Sequence, residues 1–379
     1  MSDASPLRVL IASKALVVGI YQRKLEHIAA AGVDLMAVVP PAWRDERGTT
    51  KLERAHTKGY RLVTLPLRLN GNFHLHFYAG LGRLVRLFKP DILHIDEEPY
   101  NLAAWQMAYH ARRHGARTVF FSWQNIYRTY PIPFRWGERW VISRADYALA
   151  GTQSAADVWR QKGYQGPLAV IPQFGTDTEL FKPLDEILPR REPFVIGYAG
   201  RLVEEKGVDL LLRAAAALDG DWRLRILGGG PRIDALITLA RDLGIHERVR
   251  FDAQIPSVQM PGFYRDLDIL VLPSLTRPNW KEQFGRVLVE AMACGVPVIG
   301  SDSGAIPGVI GDAGIVVPEG DIDRLTGALR QLRDDFTLRA HLSLLGRERV
   351  LNHFTHIQIA QQTVGIYRAL SGQPGLNHH

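Results

Sequence analysis

The feature that most constrains the fold of this chain is a pair of series in which short apolar runs alternate with helix-length segments. The first series contains LRVLIA, QRKLEHIAAAG, DLMAVVP, DILHI and NLAAWQMAYHARRHG. The second contains PFVIGYAG, VDLLLRAAAAL, WRLRILGGG and PVIGS. Short strands separated by helices of this length are joined by right-handed β–α–β crossovers, which build parallel sheets. The alternation therefore predicts an α/β fold.

The alternation stops once, between Ile171 and Pro193, where the chain carries four prolines and no sustained period. Such a segment is typical of a linker, and 379 residues suffice for two or three domains. We predict two doubly wound Rossmann-like domains at residues 1–175 and 193–355, joined by a linker at 176–192. A C-terminal helix within 356–379 is expected to pack back on the first domain. Ligands of such folds bind outside the carboxyl ends of the strands, so the predicted site is a cleft between the domains.

Composition favours a soluble enzyme, with 46% apolar and 22% charged residues. The single cysteine, Cys294, excludes an intrachain disulfide and fits a reducing compartment as a small buried apolar residue. The first residues lack the pattern of a secretory signal, and no apolar run approaches the ~20 residues of a membrane-spanning helix. We therefore expect a cytoplasmic protein.

The net charge of +7 is concentrated in the first half of the chain. Residues 1–185 carry 24 Lys and Arg against 16 Asp and Glu, whereas residues 186–379 carry 22 against 23. Seven arginines and one acid, Glu138, lie between Arg112 and Arg144, interleaved with aromatic residues from Trp123 to Trp140. The stretch fits peripheral contact with an anionic membrane or an acidic acceptor, or else solvated arginines around a partly buried aromatic cluster. Nucleic acid is not expected as a partner, because no recognised binding module accompanies the charge.

The second half contains a cassette, residues 273–304, in which a polar loop leads into the apolar helix VLVEAMACG. The first N–H groups of a helix lack intrahelical partners and favour anions. Glu282, just before this helix, is unsuited to phosphate but suited to accepting hydrogen bonds from hydroxyl groups, and Glu290 follows within the helix. Sites for phosphate and for hydroxyls in one cassette suggest a sugar nucleotide.

A second motif, GYAGRLVEEKGVDLL, places two cations around the end of a predicted strand and the start of the next helix. Arg201 and Lys206 could neutralise a diphosphate there. The alternative is a surface loop whose cations pair with the neighbouring Glu204 and Glu205. The turn LGGGP does not match a dinucleotide fingerprint, and its glycines are expected to let the backbone pass close to a nucleotide or to another strand.

The motifs GRLVEEKG, EQFGRVLVEAMACGVPVIGSDSG and GDAGIVVPEGD, within residues 195–320, resemble those of the family-4 retaining glycosyltransferases. That family has the GT-B fold of two Rossmann-like domains, so the resemblance supports the predicted architecture. It implies a nucleoside-diphosphate-sugar donor, with UDP- or GDP-sugars favoured, and requires neither a metal ion nor a separate cofactor.

The resemblance also assigns roles to individual residues. Arg201 and Lys206 would hold the diphosphate, and Glu282 would accept hydrogen bonds from the sugar hydroxyls, which makes these three the candidate catalytic residues. The other donor-binding candidates are the Gly19 backbone for the diphosphate, the backbone near Ile255 for the base and Glu290 for the ribose. The backbone of Phe284, Gly285 and Arg286 would contact the sugar and phosphates, with Val287 beside them.

The chain departs from the family pattern on the acceptor side. Gln124 stands where the family often has a histidine, with Asn125 next, and an amide cannot act as a base near neutral pH. The usual double glycine after the cassette is Gly304-Ala305, and an expected acid is Gly308.

An acidic run, Asp96-Glu97-Glu98, follows His94 at the end of the strand DILHI. Two interpretations of this segment remain open. His94 and Glu98 could bind the acceptor, or the acids could simply match the positive end of the next helix. A metal site built from this cluster is not expected.

The predicted activity is retaining, metal-independent transfer of a hexosyl group to a hydroxyl of a glycan, lipid or small molecule. In the front-face route that the resemblance implies, the leaving phosphate oxygen takes the acceptor proton. The alternatives are a GT-B sugar-nucleotide epimerase, a phosphorylase-like enzyme, or a non-catalytic two-lobed sugar-binding protein.

Overall fold

The computed structural model describes residues 5–45, 48–183 and 193–372. They divide into two compact units. The first comprises the residues up to Gly175 together with those from His356 onward, and the second comprises Thr176–Thr355. Of the predicted linker, residues 176–183 pack with the second unit, where Phe181 is buried in the core, and residues 184–192 lie outside the described residues.

The first unit is built on a parallel sheet with the strand order β11-β10-β9-β8-β1-β2-β5, accompanied by two small antiparallel hairpins, β3-β4 and β6-β7. The strands are β1 (Arg8–Ala12), β2 (Asp34–Val39), β3 (Ala42–Asp45), β4 (Gly48–Lys51), β5 (Arg61–Thr64), β6 (Leu67–Arg68), β7 (Phe77–Tyr78), β8 (Ile92–Ile95), β9 (Arg117–Ser122), β10 (Tyr147–Ala150) and β11 (Leu168–Val170). The central strands are almost wholly buried, which is why they read as continuous apolar runs in the sequence.

Helices cover both faces of this first sheet, and each face has its own apolar core. The helices are α1 (Arg23–Ala30), α2 (Leu81–Phe88), α3 (Leu102–His114), α4 (Phe134–Ile142), α5 (Gln153–Gln161) and, from the end of the chain, α13 (His356–Ser371). Helix α13 packs beside α1 and buries Ile359, Val364 and Tyr367 in the same core as α1. The C-terminal helix is thus an integral layer of the first unit.

A buried hydrogen bond of 2.5 Å joins the Tyr367 hydroxyl of α13 to Nδ1 of His94 in β8. His94 is 1% exposed, and burial, together with the nearby charge of Lys24, lowers its pKa to about 3. The imidazole is therefore neutral in the folded protein at ordinary pH and serves to attach α13 to the sheet.

The second unit contains a parallel sheet with the order β14-β13-β12-β15-β16-β17. Its strands are β12 (Phe194–Ala199), β13 (Trp222–Leu227), β14 (Val249–Asp252), β15 (Ile269–Leu272), β16 (Val298–Ser301) and β17 (Ile315–Val317). Its helices are α6 (Val208–Ala216), α7 (Ile233–Asp242), α8 (Met260–Arg265), α9 (Arg286–Ala293), α10 (Ile306–Ile310), α11 (Ile322–Asp334) and α12 (Phe336–His353). This is the 3-2-1-4-5-6 order of a doubly wound sheet, and the prediction of two Rossmann-like domains is confirmed.

The glycine-rich turn after β13 packs against backbone of its own unit. Gly228 adopts a φ of +143°, and a Cβ there would overlap the carbonyl oxygen of Gly200. The Leu202 N–H donates to the Gly229 carbonyl at 2.9 Å. Of the two expectations for this turn, close passage of another backbone segment is the one that the structure displays.

We expect Gly228→Ala to lower the free energy of unfolding by about 2–4 kcal/mol, because the new methyl group would meet backbone that cannot move aside. Gly229→Ala is the matched control, since nothing lies within 4 Å of a Cβ at that position, and a change within about 0.5 kcal/mol is expected. Urea unfolding followed by circular dichroism checks the pair. Equal losses in both variants would contradict the close-approach explanation.

A second prediction concerns the pH dependence of stability. The pKa of His94 is about 3 in the folded chain and ~6.5 in an unfolded one, so the unfolded chain binds the extra proton between these values. The free energy of unfolding should therefore fall as the pH drops below ~6.5, by up to about 1.4 kcal/mol per pH unit from this group. His94→Gln should reduce that slope, measured between about pH 7.5 and pH 5, whereas the exposed control His114→Gln should leave it unchanged. Identical slopes in wild type and His94→Gln would refute the assignment.

Candidate active site

The candidate site of the second unit lies at the carboxyl edge of its sheet, where two neighbouring strands, β12 and β15, end. Arg201 follows β12 and is exposed, and its carbonyl accepts a hydrogen bond of 2.8 Å from the Tyr198 hydroxyl. The pKa of Tyr198 is raised first by burial and then by the charge of Glu282, while Arg201 opposes this rise. Both charges therefore act on the same buried phenol.

Lys206 and Glu282 form the centre of this site. The Lys206 ammonium donates to Oε2 of Glu282 at 2.6 Å, and the Ser274 hydroxyl donates to the same oxygen at 2.9 Å. The two charged side chains are only 16% and 10% exposed. The ammonium also lies 4.9 Å from the centre of the Trp280 ring, within the range of a cation–π contact. Lys206 is thus held between a carboxylate and an indole, and the two motifs of the sequence meet at one point.

The loop that carries Glu282 is tied down at both ends. The Thr276 hydroxyl donates to Glu319 at 2.5 Å and lies 3.0 Å from the Ser303 hydroxyl. At its other end, the Glu282 carbonyl accepts from the Ala305 N–H at 3.1 Å. These bonds fix the loop relative to the segments that follow β16 and β17, so the position of the Glu282 carboxylate is set by three neighbouring strands.

Helix α9 begins directly after Gly285, which has a φ of +76°. A Cβ at Gly285 would lie 3.0 Å from Leu288 and 3.2 Å from Leu272, so a side chain would be strained there by both conformation and contact. With glycine at this position, no side chain caps the first turn of the helix. The helix N-terminus therefore offers the backbone donors and positive dipole that favour an anion.

Glu290 lies one turn into α9 and is 5% exposed. Its carboxylate accepts from the Tyr264 hydroxyl at 2.8 Å and from Arg286 Nε at 2.7 Å. Burial raises the pKa of Glu290, and Arg286 and Tyr264 offset part of that rise. The side chain of Arg286, for which the sequence predicted a backbone role, is thus a partner of Glu290.

The apolar members of the predicted donor site are partly buried. Ile255, in the loop after β14, and Val287 pack against the core of the second unit. Phe284 makes an edge-to-face contact with Phe354, with 5.8 Å between ring centres. Their backbone positions at the carboxyl edge are compatible with the predicted contacts to base and phosphates.

In the first unit, Gly19 is covered by its own chain. Its N–H donates to Glu53 Oε2 at 2.8 Å, and a Cβ at Gly19 would meet Ala55 at 2.8 Å and the Glu53 carboxylate at 3.0 Å. The missing side chain therefore makes room for the segment around Glu53. A donor phosphate at this N–H would have to replace the Glu53 carboxylate.

Three of the four predicted acceptor-side residues lie close together at the ends of β8 and β9. Glu98 accepts from the Ser122 hydroxyl at 2.6 Å, and the same hydroxyl oxygen accepts from the Gln124 N–H at 3.0 Å. Burial raises the pKa of Glu98 to about 7, against the effect of these hydrogen bonds. Gln124 Oε1 is buried without a partner among the described residues, and Asn125 is 5% exposed beside it. His94, by contrast, is buried within β8 and pairs with Tyr367.

The other acids of the run after β8 are engaged within the fold. Glu97 forms a buried ion pair with Lys14 and accepts from the Tyr78 hydroxyl at 3.0 Å. Burial alone would raise the pKa of Glu97, but Lys14 and His76 outweigh it and hold the pKa at about 2. Asp96 accepts from the Gln173 amide at 3.0 Å. Only Glu98 of this run is more than slightly exposed.

Sequence reasoning missed Ser274, Trp280 and Tyr264. Ser274 stands two residues beyond the end of β15, and its place just past the carboxyl end of an apolar run was an available signal. Trp280 lies inside the cassette but reads as an ordinary loop aromatic. Tyr264 carries no signal, because nothing in the spacing of α8 shows that its hydroxyl meets Glu290.

Within residues 5–45, 48–183 and 193–372, no group of three or more His, Cys, Asp or Glu side chains could hold a metal ion. None of the helices in the same residues combines the length and hydrophobicity needed to cross a membrane.

Comparison with known families matches both halves of the chain. The family model described as "Glycosyl transferases group 1" matches residues 183–349, and that described as "Glycosyl transferase 4-like domain" matches residues 20–173. A GDP-mannose-dependent alpha-(1-6)-phosphatidylinositol monomannoside mannosyltransferase of Mycolicibacterium smegmatis is 35% identical over 84% of this chain and 86% of that protein. A D-inositol 3-phosphate glycosyltransferase of Catenulispora acidiphila is 34% identical over 63% of this chain and 61% of that protein.

Solved structures share the fold. A sucrose-phosphate synthase from Thermosynechococcus elongatus superposes with a TM-score of 0.71 at 23% identity, covering 97% of this chain and 99% of that one. HepE from Anabaena, in complex with UDP, superposes with a TM-score of 0.69 at 18% identity, covering 97% and 100% of the two chains. The matches to both halves and the near full-length relative show that the chain belongs to the group 1 glycosyl transferases, the family-4 glycosyltransferases with the GT-B fold.

Proposed function

We propose that this glycosyltransferase moves a hexosyl group from a nucleoside-diphosphate sugar to a hydroxyl of a glycan, lipid or small molecule, with retention of configuration and without a metal ion. The observation that carries the proposal is the partly buried contact of Lys206 with Glu282 and Ser274 beside the exposed Arg201. Cations for a diphosphate and a carboxylate for sugar hydroxyls stand at one edge of one sheet.

Lys206 can keep its partner while it binds the donor. An ammonium group has three N–H donors, so it can hold the Glu282 carboxylate with one and a phosphate oxygen with another. Arg201 adds a second permanent cation, and the N-terminus of α9 adds backbone donors. Under the proposal, these groups bind the diphosphate, Glu282 accepts from a sugar hydroxyl, and the backbone of Gly285 contacts the sugar and phosphates.

Glu290 is proposed to accept hydrogen bonds from the ribose hydroxyls. Each carboxylate oxygen can accept two hydrogen bonds, so the bonds from Tyr264 and Arg286 leave capacity for a ligand. The same two partners hold the carboxylate in one orientation. The backbone near Ile255 is proposed to contact the base.

The proposed route is front-face substitution. The bond between the anomeric carbon and the leaving phosphate oxygen breaks, the acceptor oxygen bonds to the same face, and its proton passes to the leaving phosphate. Negative charge grows on the diphosphate as the bond breaks, and preorganised cations stabilise that charge most where water is excluded. The engagement of Glu282 with Lys206 and Ser274 favours a role in holding hydroxyls over one as a nucleophile.

GDP-mannose is the donor that we propose first. The support is the name of the mannosyltransferase from M. smegmatis, which is 35% identical over 84% of this chain and 86% of its own length. UDP-sugars are the alternative, since HepE binds UDP.

An acceptor that carries an inositol ring and a phosphate is proposed as the first class to test, because both similar enzymes are named for such acceptors, a phosphatidylinositol monomannoside and D-inositol 3-phosphate. Glu98 and Gln124 are proposed to bind its hydroxyls. Gln124 Oε1 lacks a partner among the described residues, so it can accept a hydrogen bond without breaking one.

We place the enzyme in the cytoplasm, in peripheral contact with the inner face of the membrane through its basic first half. The support is the single buried cysteine and the excess of positive charge within residues 1–185.

Lys206→Ala and Arg201→Ala should each lower the rate of transfer by ~10²-fold or more, because one cation at the growing diphosphate charge is lost. Arg223→Ala is the matched control, since Arg223 lies at the amino end of β13, on the opposite edge of the sheet. Release of the nucleoside diphosphate, measured with and without acceptor, checks the change. Full activity in Lys206→Ala, or nucleotide binding without acceptor-dependent release in wild type, would overturn the proposal.

Transfer should continue in the presence of EDTA, because the proposed reaction uses no metal ion.

Donor choice can be read from thermal stability. GDP-mannose at about 100 times its dissociation constant should stabilise the protein by about 2.7 kcal/mol, which raises the melting temperature by several degrees. UDP-glucose at the same concentration should give a much smaller shift. The reverse order would refute the GDP assignment and leave the transferase assignment standing.

The stereochemistry of transfer is a separate prediction. Proton NMR of the first product should show the same anomeric configuration as the donor, and inversion would refute the front-face route.

A further inference from the structure

Three helices, α2, α3 and α4, pack side by side over one face of the first sheet. Gly82 of α2 lies against the His110 ring of α3, and Gly137 of α4 lies against the Trp105 ring of α3, so closely that a Cβ at either glycine would overlap the ring. Helix α3 is thus in close contact with a neighbour on each side. The outer surfaces of the three helices form one continuous surface, here called the three-helix face.

The charge displayed on the three-helix face is entirely positive. Helix α2 exposes Arg83 and Arg86, α3 exposes Arg112 and Arg113, and α4 exposes Arg139. The only acid in the three helices, Glu138, is buried and forms an ion pair with Lys162. None of the five arginines has an ion pair with an acid in the part of the chain that the structure describes.

Each helix also exposes one large apolar or aromatic side chain among these arginines. Leu87 of α2 is 69% exposed, Tyr109 of α3 is 52% exposed and Trp136 of α4 is 60% exposed. The loop before α4 adds Ile132, at 51%, and Tyr127, at 48%. Single exposed apolar residues are ordinary, but five on one basic surface are typical of an interface with a partner that is both apolar and anionic.

We infer that the three-helix face docks on an anionic lipid bilayer. Arginines suit the negative headgroups, while Trp, Tyr and Leu insert at the boundary between headgroups and acyl chains, where amphipathic rings are favoured. A nucleic acid would satisfy the arginines but leave Leu87 and Ile132 in water. The inference rests on the proposed function, because it assigns a defined surface to the membrane contact proposed there. Binding to vesicles is nevertheless measured independently of glycosyl transfer.

The three-helix face continues to the edge where the acceptor is proposed to bind. Phe134, the first residue of α4, has its ring 5.1 Å from His74, and His74 lies 5.5 Å from Tyr100. Tyr100 is two residues beyond Glu98. A bilayer on the three-helix face would therefore lie beside the carboxyl edge of the first sheet, which favours acceptors anchored in that bilayer.

The test is co-sedimentation of the full-length protein with vesicles of phosphatidylcholine alone or of phosphatidylcholine and phosphatidylglycerol in equal parts. Strong binding to the anionic vesicles and little to the neutral ones is expected. Each arginine near the surface contributes about 1 kcal/mol, or about fivefold in affinity, so the triple variant Arg83→Ala, Arg86→Ala, Arg139→Ala should bind on the order of 10²-fold more weakly. The double variant Leu87→Ser, Trp136→Ser should lose about tenfold or more.

Matched controls come from the second unit. Leu344 of α12 is 68% exposed, so Leu344→Ser tests loss of an equally exposed leucine. The triple variant Arg223→Ala, Arg250→Ala, Arg330→Ala removes three exposed arginines and the same net charge. Both controls should bind the anionic vesicles as the wild type does. An unchanged melting-temperature shift with nucleotide shows that every variant is folded.

Three outcomes would overturn the inference directly: no binding to anionic vesicles, equal binding to neutral and anionic vesicles, or variants of the three-helix face that bind like their controls. A fourth is full affinity of the Leu87/Trp136 variant together with complete competition by dextran sulfate. The last would show a surface for soluble polyanions instead of a bilayer. Acceptor-dependent nucleotide release is measured in parallel without vesicles, so a failure of docking is distinguished from a failure of the proposed function.

Discussion

The candidate site of the second unit depends on one partly buried ion pair, between Lys206 and Glu282. Removing water from both charges is unfavourable, so the pair is stable only if geometry and further hydrogen bonds compensate. The Ser274 hydroxyl and the Trp280 ring supply that compensation. The loop of Glu282 is in turn anchored through Thr276 to Glu319, beyond β17. Much of the carboxyl edge of the second sheet therefore serves to hold one cation and one carboxylate beside the start of α9.

The first unit uses buried polar groups differently. His94, Asp96 and Glu97 all end or follow β8, where a ligand is expected, but their partners are Tyr367, Gln173 and Lys14 of the same unit. These contacts fasten α13 and the loop after β1 to the sheet. Glu98, Gln124 and Asn125 remain as the groups that could meet an acceptor. Neighbouring residues of one acidic run thus have separate structural and candidate binding roles, decided by which side of the strand end each one faces.

The elements best predicted from sequence are the long or strongly apolar ones. Buried parallel strands such as β8 and β15 appear as apolar runs, and α3 and α6 as periodic segments, because burial on both faces or on one face dictates those patterns. The hairpins β3-β4 and β6-β7 were missed, since strands of only two to four residues are too short to show such a pattern. In the sequence, the segment of helix α4 is recognisable only as part of a basic aromatic stretch. Its Trp136 and Arg139 are exposed, whereas Glu138 is buried, and only packing against α3 and Lys162 separates them.

The sequence by itself determined the two Rossmann-like units, the family and the cassette that contains Glu282 and Glu290, because local pattern and spacing are properties of the chain. Tertiary structure decided the partners. Lys206 meets Glu282 across 76 residues, and Tyr264 meets Glu290 across 26. The first contact arises because parallel strands distant in sequence end at the same edge of a sheet, and the second because α8 packs against α9. Spacing along the chain does not determine which side chains then face each other. For the same reason only the folded chain shows that Glu53 covers Gly19, and that the arginines of α2, α3 and α4 form a single surface.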